Sequence, residues 1–119
     1  MQSINNMNKQ EIKFQDGKYI GQVVNGLAEG KGAGYGDSGN RYEGEWRNGK
    51  QEGKGIFYFN KEPWKGDRYE GDFRNSKFEG KGIYYYSNGD RRMGDYYNDK
   101  AVGKHVMLTK NGDVKIENY

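Results

Sequence analysis

The glycine-rich stretch Gly30–Gly36, GKGAGYG, has the composition of a loop that closes backbone amides around a phosphate. A nucleotide-binding loop of the Walker type has four residues between its first glycine and the Gly-Lys pair, and serine or threonine after the lysine. Here three residues separate Gly26 from Gly30, and Gly32 follows Lys31. The spacing therefore argues against a phosphate loop.

Residues for catalysis or metal binding are sparse. The chain has one histidine, His105, and no cysteine, so thiolate zinc sites and cysteine nucleophiles are excluded. No serine or threonine lies in the sequence context of a nucleophile elbow. The carboxylates Glu45, Asp72 and Asp95 recur at matching positions, which is typical of a solvated face rather than of a tuned acid–base pair. We predict that the protein is not an enzyme and that it has no cofactor and no metal site.

The glycine-rich stretch is one copy of a repeat. Tyr-x-Gly triplets, the last of them degenerate, begin at Tyr19, Tyr42, Tyr69 and Arg92, at steps of 23, 27 and 23 residues. The Gly-Lys-Gly element recurs at Gly53 and Gly80 and decays to Gly-Lys-His at Gly103. A phosphate loop is placed once in a chain, whereas this element occurs once in each unit. Its predicted role is architectural.

Each unit has the pattern of one β-hairpin. The segment Tyr42–Trp46 alternates with the period of a strand, Asn48-Gly49 is a turn signal, and Gly53–Phe59 is a second strand rich in aromatic residues. A lone hairpin is marginally stable, so the units must stack side by side. The sequence predicts an all-β fold: an elongated single-layer antiparallel sheet of stacked β-hairpins, roughly 40 Å long and almost without helix.

The repeat resembles the MORN repeat (membrane occupation and recognition nexus). The segment Tyr42–Gly49, YEGEWRNG, followed by Gly53-Lys54-Gly55, matches the family pattern Tyr-x-Gly-x-Trp-x-x-Gly and Gly-x-Gly position by position. The resemblance covers about residues 19–114 and implies a solenoid of hairpins. The departures from the pattern are Val23 for the aromatic residue, Ser76 and Asp99 for the turn glycine, and Arg92 and His105 in the last unit.

The aligned columns also predict the domain organisation. Residues 1–10 are predicted to be a flexible tail and residues 11–119 a repeat domain. The predicted units span 19–41, 42–68, 69–91 and 92–114, with capping strands at 11–18 and 114–119. Four residues are inserted between Gly55 and Gly66, which predicts an enlarged loop around Pro63 and Trp64.

Aromatic columns are the main candidates for binding a partner. In a single-layer sheet one face of the rings has no second layer above it, so a groove is left for a partner's helix or extended segment. The same rings also have to form the core, and the sequence leaves open which column faces solvent. The predicted partner-binding residues are Tyr42, Trp46, Tyr58, Tyr69, Phe73, Tyr85 and Tyr96.

A lysine column is the candidate site for an anionic partner or lipid. Its members are Lys31, Lys54, Lys81 and Lys104, which recur at roughly 10 Å intervals in a hairpin stack. One interpretation pairs these lysines across the hairpin with Glu45, Asp72 and Asp95, at well under about 1 kcal/mol for each exposed pair. The other has them face an acidic protein or anionic headgroups, at about 1 kcal/mol for each lysine.

Composition excludes several classes of partner. The net charge is only +3, with acidic and basic residues interspersed, which argues against a nucleic-acid surface. No apolar run approaches the roughly 20 residues that span a bilayer. The first ten residues lack the apolar core of a secretory signal. A soluble, cytoplasmic protein is expected.

The sequence and the resemblance together predict a protein-binding scaffold. MORN-repeat proteins are associated with cytoskeletal, ciliary and membrane-linked assemblies, which implies a cytoskeleton- or cilium-associated location. The alternative is a peripheral module that binds phosphoinositides or other anionic lipids through the lysine column. Weak membrane association and homo-oligomerisation through the end hairpins are further expectations.

Overall fold

The computed structural model describes residues 9–119 as one antiparallel sheet of ten strands that lie in chain order. The strands are β1 (Lys9–Phe14), β2 (Gly17–Val24), β3 (Leu27–Gly36), β4 (Arg41–Arg47), β5 (Lys50–Tyr58), β6 (Arg68–Arg74), β7 (Lys77–Tyr85), β8 (Arg91–Tyr97), β9 (Lys100–Leu108) and β10 (Val114–Asn118). The predicted all-β fold is confirmed. Within residues 9–119 there is no helix long and apolar enough to cross a membrane.

The sheet is elongated because each hairpin adds two strands to the same layer. The Cα atoms extend over 47 × 28 × 24 Å. Ten strands at a spacing of about 4.8 Å account for roughly 43 Å of the long dimension. The four-residue insertion forms an irregular loop, residues 59–67, between β5 and β6.

Two-residue turns close the repeat hairpins. Asn48 and Gly49 have φ angles of 50° and 81°, the conformation of a type I′ turn, which matches the right-handed twist of the flanking strands. The next two hairpins keep this conformation although Ser76 (φ 63°) and Asp99 (φ 70°) replace the glycine. A side chain in this region costs roughly 1 kcal/mol, so the sheet tolerates the strain at both turns.

The Gly-Lys-Gly element forms a β-bulge with no room for a side chain at either glycine. Gly53 has a φ of 81° and faces the Glu45 carboxylate, whose Oε1 accepts a hydrogen bond from the Lys54 backbone N–H at 2.7 Å. A Cβ on Gly53 would overlap that oxygen, and a Cβ on Gly55 would overlap the Tyr42 ring. One glycine therefore makes the bulge and the other admits the ring, so the element is architectural.

The core is a row of interlocking aromatic rings. Tyr42 lies edge-on to Phe73 with ring centroids 4.7 Å apart, and Tyr69 stacks on Phe78 at 3.9 Å. The buried apolar residues are Tyr19, Ala28, Tyr42, Tyr69, Phe73, Phe78 and Tyr96. These large rings remove enough area from water to form a core in a chain with few aliphatic residues.

The fourth unit fills the same space with different residues. Arg92 stands where the other units have tyrosine, and His105 stands where they have glycine. The His105 ring is fully buried beside Gly94, where a Cβ would lie only 2.6 Å from its Cδ2. Its Nε2 lies 2.7 Å from the Asp95 carbonyl oxygen. The fourth unit thus keeps an aromatic ring at this place in the core, but β9 supplies it instead of β8.

The N-terminal boundaries differ from the prediction. Lys9 and Gln10, which we predicted to belong to the tail, form the start of β1 and pair with Gln22 and Gly21 of β2. The rest of the predicted tail, residues 1–8, lies outside the described residues. The predicted capping strand at 11–18 is interrupted by a turn at 15–16, because β1 folds back on β2 there as a further hairpin.

Candidate partner-binding groove

The two faces of the sheet differ in chemistry. Alternation along the strands places Tyr42 and its cross-strand partner Phe57 on one face, the aromatic face. Lys54 and its cross-strand partner Asp72 lie on the other, the charged face. A partner therefore meets rings on one face and ion pairs on the other.

Four of the predicted partner-binding residues are buried. They are Tyr42, Tyr69, Phe73 and Tyr96, each at most 5% exposed. Tyr69 and Phe73 offer almost no surface to a partner, so we correct their predicted role to support of the sheet. Tyr42 and Tyr96 lie at the base of depressions on the aromatic face, and their role in binding stays a prediction. Burial raises the pKa of Tyr96 to about 12, so its phenol is neutral near pH 7.

Trp46 is half-buried on the aromatic face. Its indole N–H donates a hydrogen bond to the Gly32 carbonyl at 2.9 Å, and its ring is edge-on to Tyr19 at 4.9 Å. It lines a depression of about 460 Å³ that reaches from Phe14 to Phe57. Trp46 is therefore both a packing residue and an accessible one.

Tyr58 and Tyr85 lie on the charged face, away from the other predicted residues. Tyr58 pairs with Arg41 across the strands, and the Arg41 guanidinium stacks on its ring at 4.2 Å. Arg68 stacks on Tyr85 in the same way at 3.8 Å. The structure does not bring these two tyrosines into the groove, because they follow Phe57 and Tyr84 by one residue and so point to the opposite face.

The inserted loop builds one wall of a groove on the aromatic face. The Phe59 N–H donates a hydrogen bond to the Asp67 carbonyl at 3.0 Å, which closes the loop at its base. Asp67 is buried, and its carboxylate accepts hydrogen bonds from the Tyr84 hydroxyl at 2.6 Å and from the Ser87 N–H at 2.7 Å. The loop is thereby fixed to β7 and to the residues that follow it.

Trp64 stands at the centre of this groove. Two adjoining depressions, of about 420 and 220 Å³, share Trp64, Phe78, Tyr84 and Asp99, and we call them together the Trp64 groove. Trp64 is 53% exposed, an unusual fraction for so large an apolar ring. The larger depression meets the Trp46 depression at Phe57, so the concavities form a continuous path along the aromatic face.

The phenol in the groove wall is neutral. Burial raises the pKa of Tyr84, and the hydrogen bond to the Asp67 carboxylate raises it further. The Tyr84 hydroxyl donates to Asp67, so it holds the loop and presents only its ring to the groove. This part of the wall therefore presents an apolar ring surface, with the Asp67 carboxylate behind it.

Apart from Tyr96, the residues that line the Trp64 groove were missed from the sequence, although two signals were present. Counting through the two-residue turn at Asn48-Gly49 places Phe57, and not Tyr58, on the face of Tyr42. The insertion is the second signal, because it departs from the repeat and carries Trp64. Residues that an insertion adds to one unit have no counterpart in the other units.

Comparison with known families agrees with this architecture. The family model described as MORN repeat matches residues 19–41, 42–61 and 69–91. The chain belongs to the MORN-repeat family. The fourth hairpin lies outside the matched ranges, which accords with its Arg92 and His105. No curated protein matches the chain.

Membership of the MORN-repeat family indicates the general class of function. MORN repeats are generally modules that bind proteins or membranes, and proteins built from them are typically not catalytic. Within residues 9–119 no three His, Asp or Glu side chains gather where they could hold a metal ion.

Three lysines of the column form ion pairs with carboxylates of the following hairpin. Lys31 lies 3.5 Å from Glu45, Lys81 lies 2.9 Å from Asp95, and Lys54 pairs with Asp72. These partners belong to the next hairpin. Within their own hairpins, Glu45 accepts the Lys54 backbone N–H and Asp72 accepts the Lys81 backbone N–H. The predicted pairing of the lysine column with Glu45, Asp72 and Asp95 is therefore confirmed for three lysines, and the pairs join neighbouring hairpins. Lys104 is exposed and has no ion-pair partner among residues 9–119.

Proposed function

We propose that this MORN-repeat chain is a non-enzymatic protein-binding scaffold that docks a segment of a partner protein in the Trp64 groove. The observation that carries the proposal is the exposed Trp64 ring, held in a concavity by a loop that is itself anchored through Asp67. Tryptophan is one of the residues enriched among those that dominate binding energy at interfaces. A scaffold of this kind agrees with the cytoplasmic location expected from composition and with the cytoskeleton- or cilium-associated location that the resemblance implies.

The shape of the aromatic face supports an elongated occupant. The Trp46 depression and the Trp64 groove adjoin at Phe57, so a helix or extended chain can contact both. Either type of segment places apolar side chains at regular intervals along one side, which suits a row of concavities between rings. The buried tyrosines beneath give these concavities a rigid base, which lowers the entropic cost of docking.

Affinity capture with matched variants tests the proposal. Trp64→Ala removes the central ring, whereas Tyr97→Ala removes a ring that is 64% exposed on the charged face. We expect a protein captured from a cell lysate by the wild type and by Tyr97→Ala to be lost with Trp64→Ala. Circular dichroism of both variants checks that the sheet is intact. Equal capture by all three proteins would count against the groove.

The rival function is a peripheral module for phosphoinositides or other anionic lipids. The lysine column is the source of positive charge that this function would use, and three of the four lysines lie beside carboxylates. An ion-paired lysine offers little net charge to a membrane, because the carboxylate is repelled as the ammonium is attracted. The charged face therefore favours the protein-binding scaffold.

A further inference from the structure

The larger depression of the Trp64 groove is lined by an acidic residue and by no basic one, although basic residues are common in this chain. Its lining contains five aromatic rings, the polar residues Gln51 and Ser76, and one charged residue, Asp99. No lysine or arginine lines it, although the chain has 20 of them. The neighbouring depressions differ, since one is lined by Lys18 and Arg41 and the other by Arg92.

A second carboxylate lies behind the wall of this depression. Asp67 is 9% exposed and has two hydrogen-bond donors among the described residues, the Tyr84 hydroxyl and the Ser87 N–H. No lysine or arginine within residues 9–119 forms an ion pair with it. Screening by water is weak at a buried site, so the negative charge of Asp67 acts on the depression. Asp99 adds a second carboxylate; its ion-pair partner Lys77, at 3.9 Å, does not line the depression.

The rings of the depression are arranged to receive a cation. The Phe59 ring lies 6.3 Å from Trp64 and 5.8 Å from Tyr84, both tilted, and all three rings line the depression. The face of an aromatic ring attracts a cation, and tryptophan does so most strongly. Elsewhere the chain already uses this contact, with Arg41 over Tyr58 and Arg68 over Tyr85.

We propose that the larger depression binds the arginine or lysine side chain of the partner segment. The cation lies against the Trp64 ring and beside Asp99, and its methylene stem contacts Phe59 and Phe78. Apolar residues that flank the basic residue in the partner occupy the adjoining depressions. This inference rests on the docking function proposed above and adds the chemistry of the residue that anchors the segment.

A displayed library of random twelve-residue peptides tests the inference. The full chain selects peptides, which are then measured by fluorescence anisotropy against the wild type and against Trp64→Ala. We expect the peptides that depend on Trp64 to carry a basic residue with apolar neighbours. Replacing that residue by citrulline or norleucine, which keep the stem and remove the charge, weakens binding by about three- to tenfold.

Asp99→Asn is the matched variant on the protein side. Asparagine accepts the Phe78 N–H that Asp99 now accepts at 2.9 Å, and it tolerates the φ of 70°, so the turn is kept while the charge is removed. Binding of the selected peptides falls with Asp99→Asn and is unchanged with Asp113→Asn, which makes the same charge change at the β9–β10 turn.

The outcomes separate this inference from the docking function. Peptides that need Trp64 but carry no basic residue, or that bind equally well with citrulline, would overturn the inference and leave the docking function standing. Equal binding to wild type and Asp99→Asn would also overturn it. A library that yields no peptide sensitive to Trp64→Ala would overturn both.

Discussion

His105 Nε2 lies 2.7 Å from the Asp95 carbonyl oxygen, and so makes the contact that a tyrosine hydroxyl makes in the other units. There the hydroxyl donates to the carbonyl three residues later, from Tyr42 to Glu45 at 2.8 Å and from Tyr69 to Asp72 at 3.0 Å. A carbonyl oxygen only accepts, so the His105 Nε2 carries the proton. The fourth unit has therefore exchanged the strand that carries the ring and kept the hydrogen bond.

This exchange predicts that substitutions at residues 92 and 105 have coupled effects on the free energy of unfolding. His105→Gly removes a fully buried ring and its hydrogen bond, and we expect the free energy of unfolding to fall by about 2–4 kcal/mol. Arg92→Tyr alone forces two rings into the space beside Gly94 and is also destabilising. The double variant restores the repeat pattern and recovers much of the loss. Urea unfolding of all four proteins measures the coupling, and strictly additive effects would refute the exchange.

The close contact between Gly55 and the ring of Tyr42 predicts that a larger residue at position 55 lowers stability. Gly55→Ala places a Cβ against the Tyr42 ring, so we expect about 2 kcal/mol of destabilisation from overpacking. Gly36→Ala is the matched control, because the nearest atom to its added Cβ is 3.7 Å away. Thermal unfolding followed by circular dichroism compares the two variants. Equal stability would mean that the Tyr42 ring moves without cost.

Substitution of Phe73 is predicted to lower stability, and substitution of Trp64 is predicted to lower partner binding. Phe73 is 4% exposed, with ring centroids 4.7 Å from Tyr42 and 5.3 Å from Tyr69, so Phe73→Ala is expected to cost about 3–5 kcal/mol of stability. Trp64→Ala is expected to change stability by less than about 1 kcal/mol and to reduce partner binding. Chemical unfolding gives the first quantity and peptide binding the second. A stable Phe73→Ala protein with weakened binding would return Phe73 to the groove.

The repeat made much of the fold predictable, because positions with one role recur. The turn at Asn48, the hairpin pairing and the structural role of Gly55 all follow from columns that several units share. The path of the inserted loop does not, since its contacts depend on Asp67 meeting Tyr84, and no other unit has such a loop. The candidate site was therefore the less predictable part. Tyr58 was predicted for the wrong face of the sheet, because the alternation of side chains between the two faces was not counted through the hairpin turn.

The bulge carboxylate gives a prediction for acid pH. The hydrogen bond from the Lys54 backbone N–H lowers the pKa of Glu45, and the Lys31 ammonium at 3.5 Å lowers it further. Because the pKa is lower in the folded state, ionised Glu45 stabilises the fold above the unfolded-state pKa of about 4.3, and this contribution is lost as pH falls through the folded value.

Glu45→Gln removes the titrating group and keeps the acceptor. Gln22 already fills this role in the first unit, where its Oε1 accepts the Lys31 N–H at 2.6 Å. We expect the variant to be less stable than the wild type at pH 7, by well under about 1 kcal/mol, and the difference to shrink toward pH 3. Urea unfolding across this range measures it. A difference that is the same at both pH values would assign the effect to packing.

The last prediction concerns membranes. Four fully engaged lysines would contribute about 4 kcal/mol, which corresponds to only millimolar binding, and the ion pairs of Lys31, Lys54 and Lys81 reduce this further. We therefore expect weak flotation with vesicles that contain phosphatidylserine and phosphoinositide, and none when the salt concentration is raised. The Lys54→Glu/Lys81→Glu variant tests the column, and Lys61→Glu/Lys65→Glu makes the same charge change on the inserted loop. Strong flotation at physiological salt, abolished by the first variant and not by the second, would establish the lysine column as a lipid site and replace the scaffold with the membrane module.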